Sequence, residues 1–536
     1  MSVADVDGTM ITLRTEFENV DRCRLIPNAK WYAQGKVWTY PATQRHAQFI
    51  VRSFPGLKQS ASFSRLVGVV PVNRKAPTVY DVSMFLNTKP WGHQQAAYQF
   101  AMEQLLEGDG GAMMAMGMGT GKTLVTLMTM VGVEAKRVLI TCPLRAVNVW
   151  KEQIEKHLNL PVNVLALDEN EGSVSRRVKK AEEGWGAANG EVFIVIVNYQ
   201  AAWRPAFKQW AYSKRWDMVV ADESHKLKAH EGVASRCLAD LGIGARYRLA
   251  LTGTPMPHSP LDIFAQMRFV DESVFGSNYY RFRDKYAILG GYQDKQVVGY
   301  RNIEDLQDRM KKTTFRVGKE VLDLPAETHV IYRCQLGLEA RKAYQELEYR
   351  FKAGVKDKTI TASNALVKLL RLQQVAGGWL KADDGTEERI DSAKLFLLAD
   401  ILEDIGDEPV VVFGRFHSDL DAIKMAARSV DKNSLELSGR RNELAEWKND
   451  GAQVLAVQPQ SGSEAIELTK ARYCIFYSLS FSLGEYDQAM SRVHRPGQTR
   501  PVEYIHLMAD NTVDGVILKA LNDRKDVVGA ILEEVR

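Results

Sequence analysis

The stretch Met116-Gly-Met-Gly-Thr-Gly-Lys-Thr123 follows the short apolar run MMAM and leads into LVTLMTMVGV, whose apolar residues recur at helical spacing. A strand that passes through a glycine-rich loop straight into a helix N-terminus is a phosphate cradle, because glycines let successive backbone N–H groups curl around an anion. The pattern points to a nucleoside triphosphate. Gly117, Gly119, Thr120 and Gly121 would shape the loop, Lys122 would reach the β- and γ-phosphate oxygens, and the Thr123 hydroxyl would ligate Mg2+. Met116 stands at the first loop position, where Gly or Ala is commoner, and leaves the GxGKT core intact. Met113, Met114, Met116 and Met118 crowd this loop and read as packing rather than as a metal site.

The surrounding text fits an α/β layer. From about Ala112 to Asp271 the runs MMAM, RVLITC, VNVLAL, VFIVIVNY, DMVVAD and YRLALTG alternate with amphipathic stretches, which indicates a parallel sheet covered by helices. A second series, PVVVFGRF, QVLAVQP, ARYCIFYSL and VEYIHLMA, begins near Glu408. Two α/β lobes are expected, at 81–271 and 391–536. The charged, helical text of 272–390 reads as protrusions and linker, and 1–80 as a small N-terminal α+β module. The stretches MKKTTFR and RRVKK read as solvated faces.

A chain of 536 residues exceeds what one core organises, and hydrophobic and charged fractions of 45% and 25% exclude disordered and fibrous classes. A net charge of +4 permits nucleic-acid binding without establishing it. Cys23, Cys142, Cys237, Cys334 and Cys474 form no CxxC pair, which argues against structural zinc and disulfides and suits a reducing compartment. The N-terminus lacks the features of a signal peptide and no apolar run reaches spanning length, so a cytoplasmic protein with no membrane partner is expected.

Phosphoryl transfer also needs a carboxylate at the end of a strand. DMVVAD ends in Asp222 and is followed by Glu223, Ser224 and His225. Asp222 would hold the Mg2+, and Glu223 would orient and deprotonate the attacking water.

With these residues in place the chain resembles the Swi/Snf-type ATPases of helicase superfamily two, roughly from Pro90 to Glu534 and in that family's motif order. His93-Gln94 resembles the adenine-recognising element, CPLRAVNVW with Pro143 and Trp150 the next motif, and DESHKLK the DEAHxLK box with Ser224 in place of Ala. Leu251-Thr252-Gly-Thr254-Pro255 resembles the segment that couples hydrolysis to lobe movement. Gln488-Ala-Met-Ser-Arg492-Val-His-Arg495-Pro-Gly-Gln498 resembles QAxxRxHRxGQ, which would make Arg492 and Arg495 arginine fingers. At i, i+4 and i+7, Gln488, Arg492 and Arg495 would share one helix face. The resemblance implies two RecA-like lobes, ATP and Mg2+ as cofactors, and double-stranded or branched DNA as partner. It suggests Arg145, Tyr199, Arg415, Trp31 and Trp38 as DNA contacts. The family's Gly-Gly-x-Gly element appears as Gly462-Ser463-Glu464-Ala465 with Glu467 in place of Asn, which weakens phosphate contact there, and the loop after Leu437-Ser438-Gly439 looks shortened. Thr512-Val-Asp-Gly-Val-Ile-Leu-Lys-Ala-Leu resembles the closing helix that braces the lobes.

Near the N-terminus, Arg24-Leu-Ile-Pro-Asn-Ala-Lys-Trp31-Tyr and Lys36-Val-Trp38-Thr-Tyr-Pro41 resemble the HARP-like module of annealing helicases. Trp31 and Trp38 would then stack on unpaired bases beside Lys30, Lys36 and Arg45, or else form the core of a small β-module. The expected task is translocation on duplex DNA serving fork regression or strand annealing. The alternatives are displacement of bound proteins, a restriction or defence role, and a nucleotide-gated clamp.

Overall fold

Parallel strands buried on both faces need apolar residues at every position rather than at alternate ones. Runs such as VFIVIVN meet that demand, and Val192–Asn198 is buried along its whole length. The computed structural model describes residues 2–521 apart from 17–18, 21–22, 24–25, 27–28, 44–45, 48–49, 52–53, 55–56, 68–80, 169–171, 188–189, 258, 291–295, 357–361, 382–386, 460–465, 481 and 520. They fall into two compact units that part between Val321 and Leu322.

The first unit opens with a small mixed sheet. Its strands are β1 (Val3–Asp7), β2 (Met10–Arg14), β3 (Lys30–Tyr32), β4 (Val37–Pro41) and β5 (Lys58–Gln59), in the order β3-β4-β2-β1-β5. Trp38 and Tyr40 project from β4 into a core with Ile11, Leu13, Ile26 and Phe63. On the neighbouring edge strand Trp31 pairs with Trp38, its ring 5.4 Å away, and is 52% exposed. The two tryptophans therefore divide the roles between which the sequence left them. Trp38 is core, and Trp31 is the one left exposed. Arg24 and Arg45 lie outside the described residues.

Next come β6 (Gly111–Met116), β7 (Arg137–Cys142), β8 (Val162–Leu167), β9 (Val192–Asn198), β10 (Met218–Asp222) and β11 (Tyr247–Thr252). A hairpin of β12 (Ala287–Gly290) and β13 (Gln296–Tyr300) precedes β14 (Thr314–Val317). The sheet order is β14-β6-β11-β10-β7-β9-β8, parallel throughout. β14 corrects the reading of MKKTTFR as a solvated face and of 272–390 as helices alone. Thr313 and Thr314 are buried, and Phe315 packs 5.8 Å from Phe100. RRVKK does lie largely exposed, although Arg177 within it is buried.

The second unit contains β15 (Glu327–Cys334), a hairpin of β16 (Trp379–Lys381) and β17 (Glu387–Arg389), then β18 (Val410–Phe413), β19 (Ser434–Leu437), β20 (Val454–Val457), β21 (Tyr473–Phe476) and β22 (Val502–Ala509). Its six-stranded sheet, β15-β22-β21-β18-β20-β19, is also parallel throughout. β15, like β12 to β14, β16 and β17, is a strand inside the segment read as protrusions. The helical part of that reading corresponds to Tyr279–Tyr286, Ile303–Lys311, Leu338–Lys356 and Ala362–Ala376. The expected closing helix is anchored to the second unit's own sheet. Asp514 accepts from the Ala509 N–H and pairs with buried Lys394 at 2.7 Å. Among the described residues no helix is long and apolar enough to cross a membrane.

Leu437-Ser438-Gly439 forms a tight turn, closed by the Ser438 N–H on the Arg441 carbonyl at 2.8 Å. Below it the fully buried Glu436 carboxylate takes Arg440 Nε at 2.8 Å and also binds Lys424 and Ser438. Although burial opposes its ionisation, those three donors hold its pKa down to about 2, against an ordinary 4.5. Because the folded value is the lower one, this stabilisation is present above pH 4.5 and is lost as the pH falls toward 2. Glu436→Gln should cost roughly 3 kcal/mol at neutral pH, read as a lower melting temperature, and the deficit should shrink below pH 4. In the N-terminal module, Trp38→Ala should unfold the small sheet, at a cost of about 3–5 kcal/mol, whereas Trp31→Ala should leave its circular-dichroism melt unchanged.

Candidate nucleotide site

Three neighbouring strands of the seven-stranded sheet, β6, β11 and β10, end side by side. Asp222 pairs with Leu251 and Thr252 with Ala115, so the phosphate loop, the Thr252 segment and the acidic turn leave the sheet at one level. Ligands of parallel α/β sheets bind at this edge, beyond the carboxyl ends of the strands.

The loop is built around two left-handed glycines, Gly119 at φ +80° and Gly121 at φ +86°. A Cβ on Gly121 would sit 2.1 Å from Gln94 Nε2, so glycine is required there for contact as well as for conformation. β14 supports the loop from the other side, its Val317 carbonyl accepting from the Gly117 N–H at 2.8 Å. Thr120 Oγ1 donates to the Gly117 carbonyl at 2.7 Å. The helix Lys122–Gly132 begins at the lysine. Lys122 Nζ folds back onto the carbonyls of Met116 at 3.1 Å and Gly117 at 3.5 Å, while Thr123 is half-buried on the first turn. Met113, Met114 and Met116 are fully buried.

His93 and Gln94 do lie against this loop, and both bond to the Thr120 carbonyl, at 2.9 and 3.0 Å. Gln94 is buried and its Oε1 accepts from the Trp91 N–H at 2.8 Å. Both ends of its amide thus hold protein backbone, which ties Gln94 to the loop.

The acidic turn carries the strongest electrostatic tension. Burial, and after it the charge of Glu223, push the Asp222 carboxyl above its ordinary range, against the pull of Trp150 and Lys122. Trp150 Nε1 donates to Asp222 Oδ2 at 2.8 Å, and the Glu223 N–H donates to Oδ1 at 3.0 Å. Glu223 itself adopts the left-handed region, at φ 50° and ψ 52°, a conformation that costs a non-glycine residue roughly 1–2 kcal/mol. His225 Nδ1 lies 3.3 Å from both Glu223 Oε2 and Thr252 Oγ1, and Thr252 Oγ1 accepts from the Thr254 N–H at 3.1 Å. The two carboxylates of the acidic turn and the Thr123 hydroxyl are oxygen donors of the kind Mg2+ takes, and Lys122 is a cation suited to a polyphosphate.

Several candidate positions look different in three dimensions. Tyr199 is buried, and its hydroxyl donates to the Asp222 backbone carbonyl at 2.6 Å, which makes it a support of the acidic turn and corrects its reading as a DNA contact. Arg145 is exposed at the start of the helix Ala146–His157. In the second unit Arg415 is half-buried, with Nη1 on Gln373 Oε1 at 3.2 Å and its N–H on Ser478 Oγ at 2.8 Å. Gln488 and Arg492 lie on the helix Leu483–Val493, but Arg495 lies beyond its end. The shared face therefore stops at Arg492. His494 leaves the helical region, tied to the Pro325 carbonyl at 2.7 Å, and Pro496 disfavours helix at the residue before it. Arg495 Nη1 reaches the Ile466 carbonyl at 3.3 Å, and Gln498 pins the turn through the Thr469 and Ala471 carbonyls. Gly462 to Ala465 lie outside the described residues, and Glu467 is exposed. Sequence reasoning missed Gln266, whose one signal is a polar residue in the apolar helix IFAQMRFV.

Residues 93–377 match the SNF2-related domain, and 393–497 match the helicase conserved C-terminal domain. The chain belongs to the SNF2-related family. It is an ATP hydrolase of helicase superfamily two. Among SNF2 relatives, Putative protein p41 of Acyrthosiphon pisum secondary endosymbiont phage 1 is 26% identical over 78% of this chain and 94% of its own length. The SWI/SNF-related matrix-associated actin-dependent regulator of chromatin subfamily A-like protein 1 homolog of Caenorhabditis elegans is 25% identical over 85% of this chain, which spans 63% of that protein. The SWI2/SNF2 ATPase core of Sulfolobus solfataricus, solved in complex with dsDNA, aligns over 85% of this chain and 95% of its own at 21% identity and a TM-score of 0.39.

Lys122→Ala should weaken ATP binding by roughly tenfold or more, measured by fluorescent-nucleotide titration. Glu223→Gln should keep ATP bound yet lower turnover by about 10²–10⁴, and it should melt no lower than the parent protein, because it removes the charge that opposes Asp222. Turnover near the parent rate would remove Glu223 from the role of base.

Proposed function

We propose that this chain is a DNA-dependent ATPase that translocates along duplex DNA and acts on branched DNA, in fork regression or strand annealing. The observation that carries the motor reading is the meeting of Lys122, Asp222 and Glu223 at strand ends shared with Thr252, which touches the acidic turn through His225. A change in the γ-phosphate's surroundings reaches the Leu251–Pro255 segment through one side chain, as a motor requires and simple nucleotide storage does not. ATP is the nucleotide that membership of the family implies. Thr123 and Asp222 are the residues that would hold Mg2+, which when bound neutralises charge on the phosphates. Arg492 and Arg495 are assigned to the transition state of the same reaction.

The branched-DNA part of the reading rests on the N-terminal module. Lys30, Trp31, Tyr32 and Lys36 are all exposed on or beside β3, with Trp31 and Tyr32 exposed by 52% and 53%. Aromatic faces between cations stack on unpaired bases while binding the adjoining phosphates, and such bases occur where strands branch.

ATPase rates on single-stranded, duplex and forked DNA, with triplex displacement as the movement assay, test the proposal. Duplex should stimulate turnover, forked DNA should stimulate it further, and the triplex should be displaced. Trp31→Ala with Tyr32→Ala should abolish the extra response to forks and keep the response to duplex. Fork regression at the parent rate in that variant would leave a generic duplex translocase as the better description. Arg492→Ala and Arg495→Ala should each lower kcat by about 10²–10³ with KM for ATP within about threefold.

A further inference from the structure

Ser224 stands in the acidic turn where the family resemblance expects alanine, and it is fully buried. Its hydroxyl lies 2.8 Å from Gln266 Oε1, and Gln266, also fully buried, reaches the Pro255 carbonyl at 2.5 Å and the Asp262 carbonyl at 3.0 Å through Nε2. The chemistry fixes the direction of every bond. The two carbonyls can only accept, so the amide nitrogen must face them and the amide oxygen must face Ser224, which leaves the hydroxyl as donor.

We infer that Ser224 and Gln266 are a positioning pair that transmits the state of the nucleotide site to the Leu251–Pro255 segment. Ser224 is the residue after Glu223, and Pro255 closes the segment that begins at Leu251. The path runs in parallel with the contact between His225 and Thr252 but reaches the far end of the segment, so that both ends of a five-residue stretch are held to one acidic turn. Two tethers fix the orientation of a short segment where one leaves it free to pivot. The pair is not needed for packing. A buried hydrogen bond whose two partners are both replaced by apolar groups of similar shape costs a fold little, whereas removing one partner strands the other. Alanine at 224 with an apolar residue at 266 would fill the same space. What the polar pair adds is a directional link from the hydrolytic residue to the coupling segment.

This inference rests on the proposed DNA-stimulated motor. The test compares the parent protein with Ser224→Ala, Gln266→Met and the double variant, measuring melting temperature, KM for ATP, and the ratio of duplex-stimulated to DNA-free turnover. Each single variant should lower that ratio by about fivefold or more with KM within about twofold, and the double variant should be no worse than either single, as expected of residues acting as one unit. The deciding result is the double variant, in which the melting temperature should recover while the ratio stays low. A ratio that recovers together with the melting temperature, or that never falls in folded Ser224→Ala protein, overturns the inference and leaves the DNA-dependent ATPase standing. A parent protein that duplex fails to stimulate overturns both, and that measurement precedes every variant.

Discussion

The parallel register of β6, β11 and β10 sets where each reactive group lies. A parallel pair delivers its carboxyl ends on the same side, and the pairing of Asp222 with Leu251 and of Thr252 with Ala115 leaves no slack in how the three following loops start. Slipping one strand by a residue would reverse the facing of its side chains and separate the carboxylates from the phosphate loop. That register is held by strands buried on both faces, whose residues are apolar at nearly every position and on one face pack into a continuous core. Precision at the site is thus a property of the apolar sheet beneath it.

Against this rigid floor the polar groups are held in tension. Asp222 and Glu223 are adjacent in sequence, partly buried and alike in charge, and the backbone of Glu223 is left-handed. Neither condition favours the fold by itself. Both are tolerated because Trp150, Tyr199 and the Glu223 N–H fasten the turn from three directions.

How far the sequence could be read follows from burial. Central strands gave unbroken apolar runs and were evident, as were the glycine-rich loop and the acidic turn, each a short run of residues with one dominant physical use. Of the strands that escaped notice, β14, β15 and β19 lie at the edges of the two parallel sheets, where one side faces away from the core and the apolar run breaks up, and β12, β13, β16 and β17 form short hairpins. β15 reads ETHVIYRC and is exposed over most of its length. Single side chains were harder, because direction is decided by neighbours distant in sequence. Trp31 and Trp38 are opposite each other yet differ in burial, Tyr199 turns inward to a carbonyl, and the face shared by Gln488 and Arg492 ends before Arg495 because of His494 and Pro496. Gln266 matters only once Ser224 and Pro255 are known to surround it.

The two ends of the second unit's sequence are also neighbours in its sheet. β15, its first strand, pairs along its full length with β22, the last among the described residues, from Glu327 against Val502 to Cys334 against Ala509. On the ribosome, the first unit's sheet is complete once β14 emerges, while β15 must wait for nearly the whole remaining chain before it finds its partner. Such long loop closure is slow and leaves an unpaired edge open to other nascent chains. A chain cut short before Val502 would leave β15 without the neighbour against which its full length pairs.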